Sequence, residues 1–356
     1  MSFTQSIFLT GFPGFIAERL VERLAEPGVQ FFLLVEPRFV DKAMEAIERI
    51  SESTGTPLEN FAVVEGDITK PDLGMDRDDA ADIRFEATDA FHLAAVYDLA
   101  VRRELAMRVN VEGTKNVTEF VRSLPHLKRY NYVSTCYVAG KRLGEIKENE
   151  LKHDAGFRNF YEETKYLAEM EVEKLKSGLP VTIFRPSVVV GDSQTGETIK
   201  YDGIYYLILY LRKAPYLLRA VNVGNNDVRL NLVPVDFVVE AIAALSKDPK
   251  AVGKTIAIAD PEPLTTSELF DTIAYELTSR KSEYSPSPKL VERMLNLPIS
   301  PPISGLPLHG VPYFFISQTY DTSVAQDLLA PHGVKCPNFH DYVRNLLKFV
   351  DEHPKL

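Results

Sequence analysis

The stretch Thr10-Gly11-Phe12-Pro13-Gly14-Phe15-Ile16-Ala17 follows a short apolar run at residues 6–10 and opens an amphipathic segment. Gly11 permits a tight turn, Gly14 lets the backbone come close to a ligand, and Ala17 provides a small residue where a helix packs on a sheet. Backbone N–H groups at the start of a helix attract anions. A strand, this turn and a helix in that order predict a site for the pyrophosphate of a dinucleotide.

Outward from this turn, the first two-thirds of the chain alternates short apolar runs with amphipathic segments. The runs that we predict as buried parallel strands are residues 6–10, 30–35, 61–65, 90–93, 129–134 and 181–186. Segments with apolar residues three or four apart, which predict helices, are 14–26, 41–53, 102–124 and 161–176. Repeated strand–helix–strand units predict an α/β fold of the Rossmann type, a doubly wound parallel sheet with helices on both faces.

The pattern changes after Gly191. There we predict helices over residues 201–218, 235–245, 267–277, 288–295 and 339–352, and strands over 229–232 and 254–258. The proline-rich segment 298–312 should be irregular, because proline lacks a backbone donor. We expect a dinucleotide-binding domain over residues 1–190 that recovers a strand or two from about 229–258. Residues 191–228 and 259–356 should form a smaller, mostly helical substrate-binding domain.

Composition limits the classes of partner. The 356 residues are 45% hydrophobic and 25% charged, and 40 basic against 50 acidic side chains give a formal net charge of −10. Nucleic acids and anionic membranes bind clustered cations, so we expect neither as the main partner. Cys136 and Cys336 are far apart, which argues against a zinc cluster, and we expect no metal site. Apolar runs such as residues 205–211 are shorter than the about 18 residues of a membrane-spanning helix.

The two ends of the chain bear on targeting. The N-terminal Met-Ser-Phe-Thr-Gln-Ser lacks the basic residues that open a secretory signal, so we predict a cytoplasmic protein. The C-terminal Pro-Lys-Leu is similar to the peroxisomal Ser-Lys-Leu signal, but proline replaces the small serine. The sequence leaves open whether this ending is a targeting signal, and it leaves the oligomeric state open as well.

The ends of the second and third predicted strands bear on the choice of cofactor. Glu36 lies 22 residues after Gly14, where a carboxylate binds the hydroxyls of the adenosine ribose and repels a 2′-phosphate. Arg38 has the opposite preference, since a guanidinium pairs with that phosphate. Asp67 and Ile68 follow the third strand, where they can flank the adenine. These residues indicate NAD(P)H, with NADH slightly favoured by Glu36.

Tyr161 and Lys165 are four residues apart and share one face of a predicted helix. An ammonium group one turn away favours the phenolate form of the tyrosine and can also hold the nicotinamide ribose. Such pairs are common on amphipathic helices, but here residues 133–140 and 184–191 close strands on either side of the pair in the chain. Ligands bind beyond the carboxyl ends of parallel strands, so we predict that this pair belongs to a catalytic site.

Further motifs occur in order along the chain: Asp67-Ile68, Phe91-His92-Leu93-Ala94-Ala95, Asn110-Val111-Glu112-Gly113-Thr114, Ser134-Thr135, Tyr161/Lys165 and Arg185-Pro186-Ser187. Together with the glycine turn they resemble the extended short-chain dehydrogenase/reductase superfamily over most of residues 5–260. Residues 134–138, 202–206 and 233–236 are most similar to its male-sterility-type branch. That branch contains fatty acyl-CoA reductases and the thioester reductase domains of carrier-protein systems.

The resemblance implies roles for the residues at matching positions. Thr135, five residues before Gly140, would bind the substrate carbonyl, with Tyr161 as proton donor and Lys165 tuning Tyr161. Asn110 would support this catalytic set through backbone or water contacts. The cofactor would contact Thr10, Gly11, Phe12, Pro13, Gly14, Phe15, Ile16, Glu36, Arg38, Asp67, Ile68, Leu93, Ala94, Ala95, Lys165, Pro186, Ser187 and Val188. Enzymes of this branch usually have arginine where this chain has Glu36 and use NADPH, so the resemblance and Arg38 favour NADPH.

We therefore predict an NAD(P)H-dependent oxidoreductase that transfers hydride to the carbonyl of a long-chain aldehyde or a fatty acyl thioester, carried on coenzyme A or a carrier protein. A nucleotide-sugar epimerase or dehydratase is the alternative enzyme, and a non-catalytic, cofactor-sensing protein is the alternative from another class. The aromatic residues Tyr205, Tyr206 and Tyr210 fit either a lipid tunnel or a helix core. Acyl chain length, the acyl carrier and the choice between aldehyde and alcohol as product stay open.

Overall fold

The computed structural model describes residues 3–213, 220–297, 300, 306–308 and 310–355. Its strands are β1 Gln5–Thr10, β2 Val29–Val35, β3 Phe61–Glu65, β4 Asp89–His92, β5 Arg129–Val133, β6 Gly144–Ile146, β7 Val181–Pro186, β8 Val188–Val190, β9 Leu232–Pro234, β10 Thr255–Ile258 and β11 Gln318–Tyr320. Seven of them form one parallel sheet in the order β10-β7-β5-β4-β1-β2-β3. The pairs β8–β9 and β6–β11 form two small parallel sheets beside it.

Helices cover both faces of the large sheet. They are α1 Phe15–Leu24, α2 Val40–Thr54, α3 Arg77–Glu86, α4 Arg103–Ala106, α5 Gly113–Arg122, α6 Phe160–Glu173, α7 Ile204–Lys213, α8 Val235–Lys247, α9 Thr266–Thr278, α10 Pro288–Leu295, α11 Ser323–Leu329 and α12 Phe339–Glu352. A π-helix, Met107–Glu112, joins α4 to α5. The predicted Rossmann-type, doubly wound parallel sheet is confirmed.

The strand β1 shows why the chain forms this layered core. Its side chains alternate between the faces of the sheet, so Ile7 and Leu9 pack on one side and Phe8 on the other. The first side is covered by residues of α1, α2, α8 and α11, and the second by residues of α3, α5 and α6. β1 pairs with β2 on one edge and β4 on the other, so the order of connection reverses there. A ligand crevice forms at the carboxyl ends of strands at such a reversal.

A third hydrophobic cluster lies apart from the large sheet. It unites buried residues of α7, α9 and α12, represented by Ile208, Phe270 and Leu346. The cluster supports the expected substrate-binding domain, although helix α11 packs instead in the core beneath the large sheet. One late strand, β10, joins the large sheet, whereas β9 pairs with β8 outside it. The division into two domains stays a prediction.

Several predicted boundaries are wrong. The strand predicted over 229–232 begins only at Leu232, because Arg229 bridges to Thr265 and its guanidinium donates to the carbonyl of Pro263. The helix predicted over 201–218 spans Ile204–Lys213, and residues 214–219 lie outside the described residues. Of the segment predicted to be irregular, 298–299, 301–305 and 309 lie outside the described residues, and a 3-10 turn covers its end from Val311.

The described ranges also bear on membranes and metals. No helix within them combines the length and apolar content that crossing a bilayer requires. Over the same part of the chain, no group of three or more His, Cys, Asp or Glu side chains has an arrangement that could hold a metal ion.

A buried carboxylate joins the end of the sheet to a helix from the C-terminal part of the chain. β10 pairs with a strand on one side only, and on its other side the backbone N–H of Ala257 donates to Glu148 at 2.8 Å. The same carboxylate accepts from the N–H groups of Val324 and Ala325 in the first turn of α11, at 2.7 and 3.2 Å. The carboxylate of Glu148 is therefore the cap of a helix 176 residues away in sequence.

We predict that Glu148→Gln lowers the free energy of unfolding by about 1–3 kcal/mol, because an amide N–H₂ would face backbone donors that have no other acceptor. Urea unfolding followed by circular dichroism measures the effect. Glu150→Gln is the matched control, since this nearby side chain is half exposed in an ion pair with Arg142 and should change stability by less than about 0.5 kcal/mol. Equal stability of the two variants would contradict the capping role.

Candidate active site

Two positions of the glycine turn, Gly11 and Gly14, leave no space for a side chain. Gly11 has a φ of +99°, and a Cβ on it would lie 2.7 Å from the backbone nitrogen of Ala94 and 2.9 Å from the carbonyl carbon of Leu93. A Cβ on Gly14 would lie 2.7 Å from the carbonyl oxygen of Gly11, which accepts the N–H of Gly14 at 2.8 Å. The turn therefore lies directly against the segment that follows β4, and only glycine fits at both positions.

The start of helix α1 fits the pyrophosphate of a dinucleotide. Gly14 is its N-cap and supplies no side chain to accept the first N–H groups, so these remain available to an anion. Phe12 is buried in the core and Pro13 follows it through a cis peptide bond, while Phe15 and Ile16 open the helix half-buried. A backbone cradle that any Cβ would fill is what close approach of a phosphate requires.

Behind the glycine turn, three buried side chains are connected by hydrogen bonds. The hydroxyl of Thr10 lies 2.7 Å from Nδ1 of His92, and Nε2 of the same ring lies 3.0 Å from the hydroxyl of Thr114. Burial, reinforced by the charge of Lys165, lowers the pKa of His92 to about 3, so the ring is neutral at pH 7. The backbone N–H of Ala94 also approaches the Thr10 hydroxyl, at 3.4 Å. His92 thus holds the two sides of the crevice together.

Leu93, Ala94 and Ala95 line the opposite side of the crevice and are all half-buried. The N–H of Leu93 donates to the carbonyl of Thr10 at 3.2 Å, which continues the strand pairing one residue beyond β4. The backbone therefore passes close to the glycine turn with small side chains in the crevice.

Glu36 and Arg38 lie at the end of β2 and bind each other. A guanidinium nitrogen of Arg38 lies 2.8 Å from a carboxylate oxygen of Glu36, and the two side chains are 70% and 47% exposed. The guanidinium also stacks 4.6 Å from the centre of the Phe39 ring. The charges of Glu36 and Arg38, which we expect next to the adenosine ribose, therefore partly neutralise each other. Both side chains are also in contact with solvent.

Asp67 and Ile68 follow β3, as expected. The carboxylate of Asp67 accepts two hydrogen bonds from Thr69, from its N–H and its hydroxyl, both at 2.8 Å. Burial would raise the pKa of Asp67, but these hydrogen bonds outweigh it and the pKa is lowered. Ile68 packs against Gly113, where a Cβ would lie 2.8 Å from its side chain. The loop after β3 is therefore fixed against the helix that follows the π-helix.

Asn110 lies in the π-helix and is fully engaged with other parts of the site. Its side-chain oxygen accepts the N–H of Val96 at 2.8 Å, and its side-chain nitrogen donates to the carbonyl of Val96 and to the hydroxyl of Thr164, both at 3.0 Å. Asn110 therefore joins the loop after β4 to helix α6. These hydrogen bonds hold the two segments together.

Thr135 and Tyr161 meet at the carboxyl end of β5. The Thr135 oxygen accepts the N–H of Tyr137 at 3.2 Å, so its own hydrogen remains free to be donated. Burial raises the pKa of Tyr161 to about 12, although a hydrogen bond with Thr135 opposes the increase. The neighbouring Ser134 is turned away, because its hydroxyl donates to Glu169. The hydroxyl next to that of Tyr161 is therefore the hydroxyl of Thr135 and not that of Ser134.

Lys165 is buried, and its ammonium contacts β5. Nζ donates to the carbonyl of Val133 at 2.9 Å and to the hydroxyl of Tyr132 at 3.1 Å. Burial lowers the pKa of Lys165 to about 8, and the charge of Glu169 opposes this decrease. Desolvation of the phenol dominates at Tyr161 and raises its pKa, and the tuning of Tyr161 by Lys165 stays a prediction.

The second strand end near the site is held by a buried ion pair. Arg185 is the penultimate residue of β7, and its Nε donates to Glu169 on helix α6 at 2.9 Å. Its Nη1 donates to the carbonyls of Glu148 and Glu150 at 3.1 and 3.2 Å. The thiol of Cys136 donates to the Arg185 carbonyl, and burial raises the pKa of Cys136, which keeps the thiol protonated and unreactive.

The residues after Arg185 follow the sheet edge towards the C-terminal cluster. Pro186 pairs in register with Ile258 of β10. The hydroxyl of Ser187 donates to the side-chain oxygen of Asn231 at 2.7 Å, and the N–H of Val188 donates to the Asn231 carbonyl at 3.2 Å. These three residues therefore lie on the path from the sheet to the small sheet β8–β9.

A small cleft that is open to solvent lies next to this end of the sheet. Three tyrosines, three aliphatic residues, two amides and one cation line it: Tyr137, Tyr313, Tyr320, Val188, Leu230, Ile316, Asn231, Gln318 and Arg229. Tyr205, by contrast, is buried in the third hydrophobic cluster, and its hydroxyl accepts the N–H of Gly191 at 3.0 Å. Tyr205 is therefore core, and the aromatic surface of the cleft comes from other tyrosines.

The sequence did not indicate that Arg158, Glu162 and Glu169 belong to the site. Charged residues at the start or on the side of a helix are usually exposed to solvent. Glu162 and Glu169 are fully buried, and both are paired with arginine. Their signal in the sequence is their position on the helix of Tyr161 and Lys165: Glu162 follows Tyr161 directly, and Glu169 lies four residues after Lys165 on the same helix face.

Comparisons with known proteins show the fold and the family of this chain. Fatty acyl-CoA reductase wat of Drosophila melanogaster is 26% identical over 284 residues, which cover 68% of this chain and 54% of the relative. The chain thus spans about half the length of the curated relative. The structure of the terminal R domain from the myxalamid PKS-NRPS biosynthetic pathway superposes with a TM-score of 0.83 at 24% identity, over 100% of this chain and 92% of that one.

A thiolation-reductase di-domain from an archaeal non-ribosomal peptide synthetase has the same fold, with a TM-score of 0.75, 17% identity and coverage of 99% of this chain and 76% of the di-domain chain. The family described as male sterility protein matches residues 9–242, from the end of β1 into α8. This match confirms the branch that the motifs resemble. The chain belongs to the male sterility protein family.

Proposed function

We propose that this chain is an NAD(P)H-dependent reductase of a fatty acyl thioester or the matching long-chain aldehyde. The observation that carries the proposal is the cleft that is lined in part by Tyr137, whose backbone N–H donates to Thr135. Most of the side chains that line this cleft are aromatic or aliphatic. Such a surface suits an acyl chain. The similarity to a fatty acyl-CoA reductase supports a thioester on coenzyme A, and the thiolation-reductase di-domain supports one on a carrier protein.

The side chains at the end of β5 suit a carbonyl that gains negative charge. Bound nicotinamide supplies hydride to the carbonyl carbon. The hydroxyls of Thr135 and Tyr161 lie next to each other and can both donate to the carbonyl oxygen, where charge develops. With a pKa near 12, Tyr161 keeps its proton at neutral pH until the oxygen is basic enough to take it. Lys165, with a pKa near 8, provides a buried cation for the ribose hydroxyls.

The nucleotide-sugar alternative requires cations for a diphosphate. Arg229 is the single cation among the described residues that line the cleft, and its guanidinium already donates to the Pro263 carbonyl. A non-catalytic sensing role does not explain why Thr135, Tyr161 and Lys165 converge on one sheet edge. The reductase therefore accounts for more of the site than either alternative.

Initial rates of NADH and NADPH oxidation with saturated acyl-CoA thioesters of four to sixteen carbons test the proposal. Each methylene that enters the cleft contributes about 0.8 kcal/mol, so KM should fall by up to about fourfold per methylene until the cleft is filled. A nucleotide sugar serves as the negative control. A KM that does not change with chain length, or oxidation of cofactor with none of the thioesters and aldehydes, would overturn the proposal.

Tyr161→Phe should reduce kcat by about 10²–10⁴-fold, because it removes the positioned proton donor, while the cofactor Kd should change little. Steady-state kinetics and calorimetric titration of the cofactor measure the two effects. Tyr275→Phe is the matched control, since this tyrosine is exposed on helix α9 and should have unaltered kinetics. Near-normal turnover of Tyr161→Phe would exclude Tyr161 as the proton donor.

We further propose that NADH serves at least as well as NADPH. Glu36 repels a 2′-phosphate, and its ion pair with Arg38 occupies the cation that would otherwise attract one. Glu36→Arg should then shift the ratio of kcat/KM towards NADPH, and Arg38→Ala should matter mainly for NADPH. A preference of the unaltered protein for NADPH beyond about tenfold, or about 1.4 kcal/mol, would show that Arg38 or another cation dominates.

A further inference from the structure

The residue that follows Tyr161 is a buried carboxylate with donors from two parts of the chain. Glu162 accepts the backbone N–H of Arg158 at 2.8 Å and the Arg158 guanidinium at 3.2 Å. It also accepts the hydroxyl of Tyr313 at 2.6 Å, from 151 residues further along the chain. The carboxylate is fully shielded from solvent. Each of these donors compensates part of the cost of burying the charge.

Both the hydroxyl and the ring of Tyr313 contact other residues near the cleft. Its hydroxyl donates to Glu162 and accepts the side-chain N–H of Asn159 at 2.7 Å. Its ring lies 4.7 Å from the ring of Tyr137 at an angle of 32°, and both rings line the cleft. Tyr137 in turn donates its backbone N–H to Thr135. One tyrosine therefore joins the wall of the cleft to both the Tyr161 helix and the Thr135 loop.

We propose that Tyr313 and Glu162 form a latch that holds the turn Val311–Phe314 as a wall of the acyl site, and that Tyr313 is a specificity-determining residue for the acyl group. The role in substrate binding rests on the proposed reductase function. The turn follows the proline-rich segment, and its 3-10 hydrogen bonds are too few to hold it in place by themselves. Its position therefore depends on side-chain contacts such as the one between Tyr313 and Glu162.

The wall contacts the acyl group before and during reaction, so its loss weakens both states alike. Such uniform binding affects KM and leaves kcat unchanged. Tyr161 stays in place, because its helix is also held by Glu169 and by the Asn110–Thr164 hydrogen bond. Loss of the latch should therefore change KM, whereas loss of the proton donor Tyr161 should change kcat.

Tyr313→Phe keeps the ring that lines the cleft and removes only the hydroxyl. We expect KM for a long-chain acyl thioester to rise about tenfold or more, as for loss of a hydrogen bond to a charged group, with kcat within about threefold of the unaltered protein. The cofactor Kd should not change. Tyr284→Phe is the matched control, since that tyrosine is 64% exposed and should leave KM unaltered.

Hydrogen–deuterium exchange detects the latch without any substrate. The backbone amides of residue 311 and residues 313–316 should exchange about tenfold faster in Tyr313→Phe, while those of β1 and β4 keep their protection. An unchanged KM would overturn the specificity role, and unchanged exchange over 311–316 would overturn the latch. If the unaltered protein reduces neither thioesters nor aldehydes, the proposed function fails, and the exchange experiment still decides whether the latch exists.

Discussion

The candidate active site of this protein depends on one buried carboxylate. Glu169 projects from helix α6 and binds Arg185 at the end of β7 and Ser134 at the end of β5. Two neighbouring strand ends and the helix that carries Tyr161 and Lys165 are thereby fixed to a single charged group. Burying an ion pair is costly, and its value lies in geometry, because neither charge can move without losing its partner. The hydroxyls of Thr135 and Tyr161 meet because the elements that carry them are held in this way.

Two more buried carboxylates repeat this arrangement away from the strand ends. Glu148 caps a helix 176 residues later in the chain, and Glu162 binds a tyrosine 151 residues later. Both connect the sheet and the helix that carries Tyr161 to segments that lie between α10 and α12 in the chain. In a chain with a net charge of −10, these acidic groups do not serve solubility. They attach the C-terminal part of the chain to the sheet and to helix α6 through directional hydrogen bonds.

The sheet could be predicted from the sequence because its signals are local. Apolar runs mark each of its strands, and the Gly11 turn has a spacing that the structure explains by contact with the Leu93–Ala94 backbone. Helix α3 was not predictable from periodicity, since Ala80 and Ile83 are its only buried residues. Short strands such as β6 and β11 escape prediction too, because each forms only by pairing with the other.

In the site, too, local features could be predicted from the sequence and long-range contacts could not. Thr135, Tyr161 and Lys165 could be predicted from their order and from a family resemblance. Which partner each side chain selects could not, because it depends on residues far apart in sequence. Lys165 illustrates this limit: its spacing suggested an influence on Tyr161, whereas its ammonium contacts Tyr132 and Val133 on the neighbouring strand.

The most direct test of the central claim is to follow the hydride itself. NADH or NADPH carrying deuterium at the transferable C4 position is incubated with the protein and a long-chain acyl thioester, and the product is analysed by mass spectrometry. Direct transfer predicts one deuterium on the former carbonyl carbon of the aldehyde, or two if reduction continues to the alcohol. Product that contains no deuterium at this carbon, or a cofactor that keeps its label, would contradict the account.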